Sequence, residues 1–198
     1  MSRSIKMGAE QSKLGISAIS IVCGIEKDNM AALQLSMKRV GDATGTSIIS
    51  RADFDRCLSA AEAIQASDAE ILDRIFTLLD KNGDNELDYR TYMMAVSTLI
   101  SGNLSDKLTF AFGITDISRA GTISGSDMKR TLLIMNETAS FFGDPVLEKN
   151  DISELVREIF EAENVNGSIR YFDSINNIVS HKLVVAFLAG KGTERYGK

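Results

Sequence analysis

Proline is almost missing from this chain: one occurs in 198 residues, so little in the sequence interrupts helices. Cysteine is nearly as scarce, and Cys23 and Cys57 lie too far apart for a metal knuckle or a small disulfide framework. They read as reduced thiols of an intracellular protein. His181 is the sole histidine, it falls on an apolar stretch, and no phosphate-cradling or oxyanion-forming loop accompanies it. No catalytic constellation can be assembled, and the chain is not expected to be an enzyme. No apolar run reaches the roughly 18 residues that span a bilayer, and the N-terminus lacks a signal-peptide core with a convincing cleavage site. The expected compartment is therefore cytoplasmic. Basic clusters are also lacking, and the net charge of −5 argues against nucleic-acid binding. What remains is a chain with 44% hydrophobic residues, enough for one or two compact helical cores.

The most informative segment is Asp80-Lys-Asn-Gly-Asp-Asn-Glu-Leu-Asp-Tyr-Arg-Thr91, which places an oxygen at every second residue. A hard cation wants about 6 to 8 oxygen ligands, and a tight loop points alternate side chains inward to supply them. This is the spacing of an EF-hand calcium loop. Asp80, Asn82, Asp84 and Asp88 would give side-chain or water-bridged contacts, and Glu86 its backbone carbonyl. The sixth position needs a left-handed backbone, and Asn85 is the best substitute there for glycine. The closing residue is Thr91, whose single neutral hydroxyl replaces the bidentate carboxylate usual at that position. Coordination number and charge both fall, so the metal expected here is weakly held calcium or none.

Helices flank the loop. Ser67 and Glu70 read as a capping box, followed by a stripe of Ile71, Leu72, Ile75, Phe76 and Leu79; Tyr89, Tyr92, Met93, Val96 and Ile100 make an outgoing helix. The same pattern recurs three times. Asp116–Asp127 keeps Gly121 at the turn and Ile123 at the eighth position, but Ala120 offers no oxygen and Asp127 is a methylene too short. Asp42–Asp53 keeps Ile49 and fills its middle with Thr44, Thr46, Ser47 and Ser50. A fourth loop around Gly167 and Ile169 starts at Ala162 counted backward or Asn164 counted forward, so two residues are expected to be missing, and Arg170 puts a cation among its ligand positions. Ile49 should pair with Leu87, and Ile123 with Ile169, because adjacent loops satisfy their backbone groups through a short two-stranded bridge. Only the second loop is a serious metal candidate.

The fold expected is all-α, with two lobes of paired EF-hands: an N-terminal segment 1–23, a lobe over 24–100, and a lobe over 101–198 that includes a C-terminal helix. Ser101-Gly-Asn103 is the connector, and Asn136 to Leu147, with Phe141, Phe142 and Pro145, lengthens the link between the third and fourth hands. Met93, Met94, Met128 and Met135 fall on outgoing helices, where they either line an adaptable groove or fill the core. Ile175, Ile178, Val179, Leu183, Val184, Phe187 and Leu188 read as one apolar helix that fills such a groove or binds a neighbouring chain.

Ile71-Leu-Asp-Arg-Ile-Phe76, Leu87-Asp-Tyr-Arg-Thr-Tyr-Met-Met-Ala-Val-Ser97 and Ser101-Gly-Asn-Leu-Ser-Asp-Lys-Leu-Thr-Phe-Ala-Phe112 resemble segments of the four-EF-hand calcium-sensor superfamily. The likeness is greatest to the neuronal calcium sensors and the calaxin-like ciliary proteins. That resemblance implies a non-catalytic protein that grips a helix or coiled coil of a partner, and a possible address in the cilium or cytoskeleton, since calaxin-like proteins sit with dynein at outer arms. Met7-Gly-Ala-Glu-Gln-Ser12 fits a myristoylation pattern, but membrane association is expected only if Gly8 becomes the first residue. Two readings stay open: a calcium sensor working through its second loop, and an adaptor, such as a structural subunit of a dynein-docking-like assembly, that keeps the shape without the ion.

Overall fold

The structure, a computed structural model, describes residues 25–141, 147–163 and 167–184. The N-terminal segment with Gly8 and Cys23, the linker residues Phe142 and Pro145, Asn164, and the C-terminal residues Phe187 and Leu188 lie outside them. Among the described residues the chain is all-α apart from four three-residue strands. In order, these elements are α1 (Lys27–Thr44), β1 (Ile48–Ser50), α2 (Arg51–Ser59), α3 (Ala66–Leu79), β2 (Glu86–Asp88), α4 (Tyr89–Val96), a 3₁₀ turn (Ser97–Leu99), α5 (Leu104–Thr115), β3 (Thr122–Ser124), α6 (Gly125–Phe141), α7 (Lys149–Ala162), β4 (Ser168–Arg170) and α8 (Tyr171–Ser180).

The strands tie the hands together in pairs. β1 runs antiparallel to β2 with Ile49 opposite Leu87, and β3 antiparallel to β4 with Ile123 opposite Ile169, as the eighth-position hydrophobes predict. A one-residue slip would turn Ile49 and Ile123, both buried, out to solvent, so their burial fixes the register.

The first hydrophobic cluster gathers Met30, Leu33 and Met37 of α1 with Phe54, Phe76 and Tyr92. The Phe54 ring lies 4.6 Å from Phe76 and 5.1 Å from Tyr92 between centroids, and the Tyr92 hydroxyl donates to the Leu72 carbonyl at 2.9 Å. Burial pushes the Tyr92 phenol well above its ordinary range. Cys57 is buried in this cluster as a free thiol. The second cluster joins Phe112, Ile123, Leu132, Ile152, Leu155, Ile169 and Ile178. Met93, Met94, Met128 and Met135 are all buried, so the core alternative holds for them and they do not line an open groove in this state.

α5 touches both clusters. Phe110 and Ile114 pack into the first, whereas Leu108, Ala111 and Phe112 pack into the second. Its N-cap is Asn103, whose side chain accepts from the Asp106 N–H at 3.0 Å. Lys107, on the same helix and 5% exposed, donates its ammonium to the Thr98 carbonyl at 2.9 Å, and burial pushes its pKa down to about 8.

Two expectations are corrected here, and a third segment gains detail. α3 begins at Ala66 with Gln65 as its N-cap, so Ser67 lies inside the first turn; the turn that bonds Ile64 N–H to the Ala61 carbonyl delivers the chain to the helix early. The apolar C-terminal stretch is not one helix, because α8 stops at Ser180 and His181 is extended. The imidazole accounts for the break: Nδ1 accepts from the Leu183 N–H at 3.3 Å and Nε2 lies 2.8 Å from the Glu158 carboxylate of α7, which holds the ring across the chain at this point. The third-to-fourth linker begins as helix, since α6 runs on through Phe141. Its ends are closed by Asn136, whose side-chain amide donates to the Leu147 carbonyl at 3.0 Å and accepts the Leu147 N–H at 2.9 Å.

Candidate metal centre in the second loop

The loop between α3 and β2 has the backbone that a cation loop requires. Gly83 and Asn85, its fourth and sixth residues, both have positive φ, 70° and 60°. The Asp80 carboxylate organises the turn from the first position, accepting the Gly83 N–H at 2.9 Å and the Asn85 N–H at 3.0 Å. Asp84 accepts the Glu86 N–H at 3.0 Å and the Asn82 side-chain amide at 2.6 Å. Glu86 is exposed and lies in β2 opposite Ser50. Asp80, Asn82 and Asp84 thus share one side of a turn whose N–H groups point inward.

The other half of the loop is turned to a different task. Asp88 caps α4, accepting the Arg90 N–H at 2.9 Å, and takes the Thr91 hydroxyl at 3.3 Å. Arg130, from α6, then bonds both: its Nη2 lies 3.2 Å from the Asp88 carboxylate and 3.1 Å from the Thr91 hydroxyl. The ninth and twelfth positions are therefore engaged with each other and with a guanidinium. Among the described residues no group of three His, Cys, Asp or Glu is assembled to hold a metal ion. The first half of the donor set fits a hard cation and the second half, as arranged, does not.

The same ninth-to-twelfth pairing recurs in every hand. Ser50 bonds Asp53 at 2.6 Å, Ser124 bonds Asp127 at 2.6 Å, and Arg170 pairs with Asp173 at 3.2 Å. In the first and third hands the exchange is reciprocal, because the Asp N–H donates back to the Ser hydroxyl; in the third, the Asp127 carboxylate also accepts the Ser124 N–H at 3.2 Å, which completes a capping box on the outgoing helix. The twin Ser-x-x-Asp spacings, Ser50 to Asp53 and Ser124 to Asp127, announce those caps in the sequence. Arg130 has no such signal, since a single arginine on a helix from the other half of the chain fits no motif.

The third loop copies the second in backbone alone. Arg119 and Gly121 have φ of 56° and 74°, and Asp116 accepts the Ala120 and Gly121 N–H groups at 3.1 and 2.7 Å and the Ser118 hydroxyl at 2.9 Å. Burial acts to raise the Asp116 pKa, but these donors outweigh it and hold the carboxyl below its ordinary value. The first loop departs further. α1 runs through Thr44, past the Asp42 expected to open the loop; Gly45 then caps the helix with φ of 71°, and Asp42 pairs with Lys38 on its exposed face. The cause is local: the Thr46 N–H returns to the Gly41 carbonyl at 3.0 Å, which closes the chain in a short turn in place of a wide loop. In the fourth hand five residues, 163–167, separate α7 from β4 where six separate the same elements in the second and third loops, so the spacing is shorter by one residue and not by the two expected.

No helix among the described residues is long and apolar enough to cross a membrane. No protein-family profile matches the chain, and no solved structure matches it. Curated relatives do. It is 28% identical over 70% of its length to calcineurin B of Schizosaccharomyces pombe, covering 74% of that protein. It is 26% identical over 61% of its length to guanylyl cyclase-activating protein 2 of Gallus gallus, covering 63% of it. The identity to calaxin of Danio rerio is 25% over 60% of this chain and 56% of calaxin. The chain thus spans less than two thirds of the latter two relatives. With its helices, paired loops and bridging strands, the chain is all-α and is similar to the calcium-sensor-like EF-hand proteins calcineurin B, guanylyl cyclase-activating protein 2 and calaxin.

Proposed function

We propose that this protein is an adaptor that binds a helix or coiled coil of a partner protein, with at most one weak calcium site, in the second hand. The carrying observation is the pairing of ninth and twelfth positions in all four hands, which commits the closing ligand of each loop to its own helix. A groove gated by calcium needs a loop whose affinity differs between two conformations, because an ion without such a preference shifts nothing. The similarity to calaxin supports a ciliary or cytoskeletal assembly as its setting, reached from the cytoplasm. The lobes proposed for partner binding are 24–100 and 101–198.

The competing reading is a true sensor, favoured by the intact first half of the second loop. Calorimetry of calcium binding to the full chain, and recovery of the copurifying partner in chelator and in millimolar calcium, separate the two. An adaptor gives a calcium Kd weaker than the ~10⁻⁷ to 10⁻⁵ M of sensors and a complex that survives chelation. A micromolar isotherm with partner recovered only in calcium establishes the sensor.

A further inference from the structure

A cation already sits against the second loop, and it comes from the other half of the chain. Arg130 of α6 reaches the Asp88 carboxylate and the Thr91 hydroxyl with one nitrogen, at 3.2 and 3.1 Å. Two further contacts hold α6 on the same hand. Lys81, second in the loop, pairs with Glu137 two turns farther along α6, and the buried Met94 sulfur of α4 lies 3.5 Å from the Thr131 hydroxyl, next to Arg130. Thr131 in turn meets the Thr115 hydroxyl of α5 at 3.0 Å, so the guanidinium is carried by a helix that packing has already placed.

We propose that Arg130 is the resident counter-cation of the second loop and that it excludes a metal from the ninth and twelfth positions, so that cation affinity at this loop and the docking of α6 on the second hand are one coupled equilibrium. The inference rests on the weak-site reading above and supplies its cause. Thr91 alone explains a missing ligand. Arg130 adds two effects: it occupies the remaining donors, and its positive charge repels an incoming ion at close range. Because Arg130 and Asp88 are both partly solvated, the pair itself contributes little to stability. Its effect on a divalent ion is larger, since the ion carries twice the charge and loses two donors at once. Coupling is reciprocal: whatever the arginine takes from calcium affinity, calcium must take from the arginine's hold on the loop.

The decisive experiment is calcium calorimetry on the full chain in five forms: unaltered, Arg130→Ala, Thr91→Glu, the double variant, and Lys129→Ala as a control that removes the same charge one residue away. Arg130→Ala should tighten binding about tenfold, and Lys129→Ala should change it little. Thr91→Glu alone should gain little, because the new carboxylate pairs with Arg130. The double variant should gain more than the two single changes combined. A melting curve verifies that each variant is folded. The proposal is overturned if Arg130→Ala binds no tighter than Lys129→Ala, if Thr91→Glu tightens binding equally with Arg130 present and absent, or if the double variant binds no calcium. These differences between variants judge the arginine whatever the affinity of the unaltered protein, whereas that affinity alone judges the weak-site reading.

Discussion

Lys107 offers the sharpest test of the packing around the connector. On the buried face of α5 its ammonium has one partner among the described residues, the Thr98 carbonyl, and burial pushes its pKa from 10.5 down to about 8. A cation whose folded pKa is depressed destabilises the fold wherever it stays charged, so its penalty is fully present below about pH 8 and disappears as the pH rises toward the unfolded value. At pH 9 nearly all unfolded chains hold this proton and roughly one folded chain in ten does, which makes stability climb by about 1.2 kcal/mol per pH unit. From pH 8 to 10.5 the gain totals about 3 kcal/mol. Lys107→Met keeps the apolar stem and removes the titration. Its stability at pH 7 is a poor readout, because relief of the buried charge opposes the loss of a donor to Thr98. The slope is the proper one. Urea unfolding of both forms between pH 7.5 and 9.5, below the range where unfolded tyrosines ionise, should show the unaltered chain gaining about 1 kcal/mol per unit more than the variant. Equal slopes would refute the argument, because they would mean that Lys107 reaches water in the fold.

Two substitutions probe the loops. Asp116→Ala should cost about 2 kcal/mol, because it strands the Ala120 and Gly121 N–H groups that its carboxylate accepts. Asp116 titrates below its ordinary value when folded, so its contribution is present above about pH 4 and fades as the pH falls through the lowered pKa; urea midpoints of the two forms should converge under acid. Gly41→Ala, although made inside a helix where alanine normally helps by about 1 kcal/mol, should destabilise by a comparable amount. An added Cβ would stand 2.6 Å from the Thr46 carbonyl oxygen and 3.2 Å from the Tyr89 ring, and a rise in melting temperature would show that the turn gives way.

Features set by local chemistry were legible from the residues alone. A hydrophobe at the eighth position of each loop, Ile49, Leu87, Ile123 and Ile169, gave both strand pairings, and the need for a left-handed residue picked out Asn85 and Gly121. The overrun of α1 past Asp42 was hidden because Thr44, Thr46 and Ser47 serve a helix end as well as they serve a loop. The break at His181 depended on Glu158, which meets it only after α7 has folded. Arg130 was invisible for the same reason: its partners lie some forty residues earlier, and only the packing of α6 on α4 brings them within reach.

α5 carries a consequence for how this protein comes apart. A helix whose Phe110 and Ile114 belong to one core while Leu108 and Phe112 belong to the other has little face left for water. Melting either core strips apolar cover from the same twelve-residue rod, so neither half loosens at its own cost alone. Ser101-Gly-Asn103 is thus a poor hinge, whatever its composition suggests. The molecule should lose both cores in one cooperative transition, and a chain cut at residue 102 would leave two sticky fragments in place of two independent lobes.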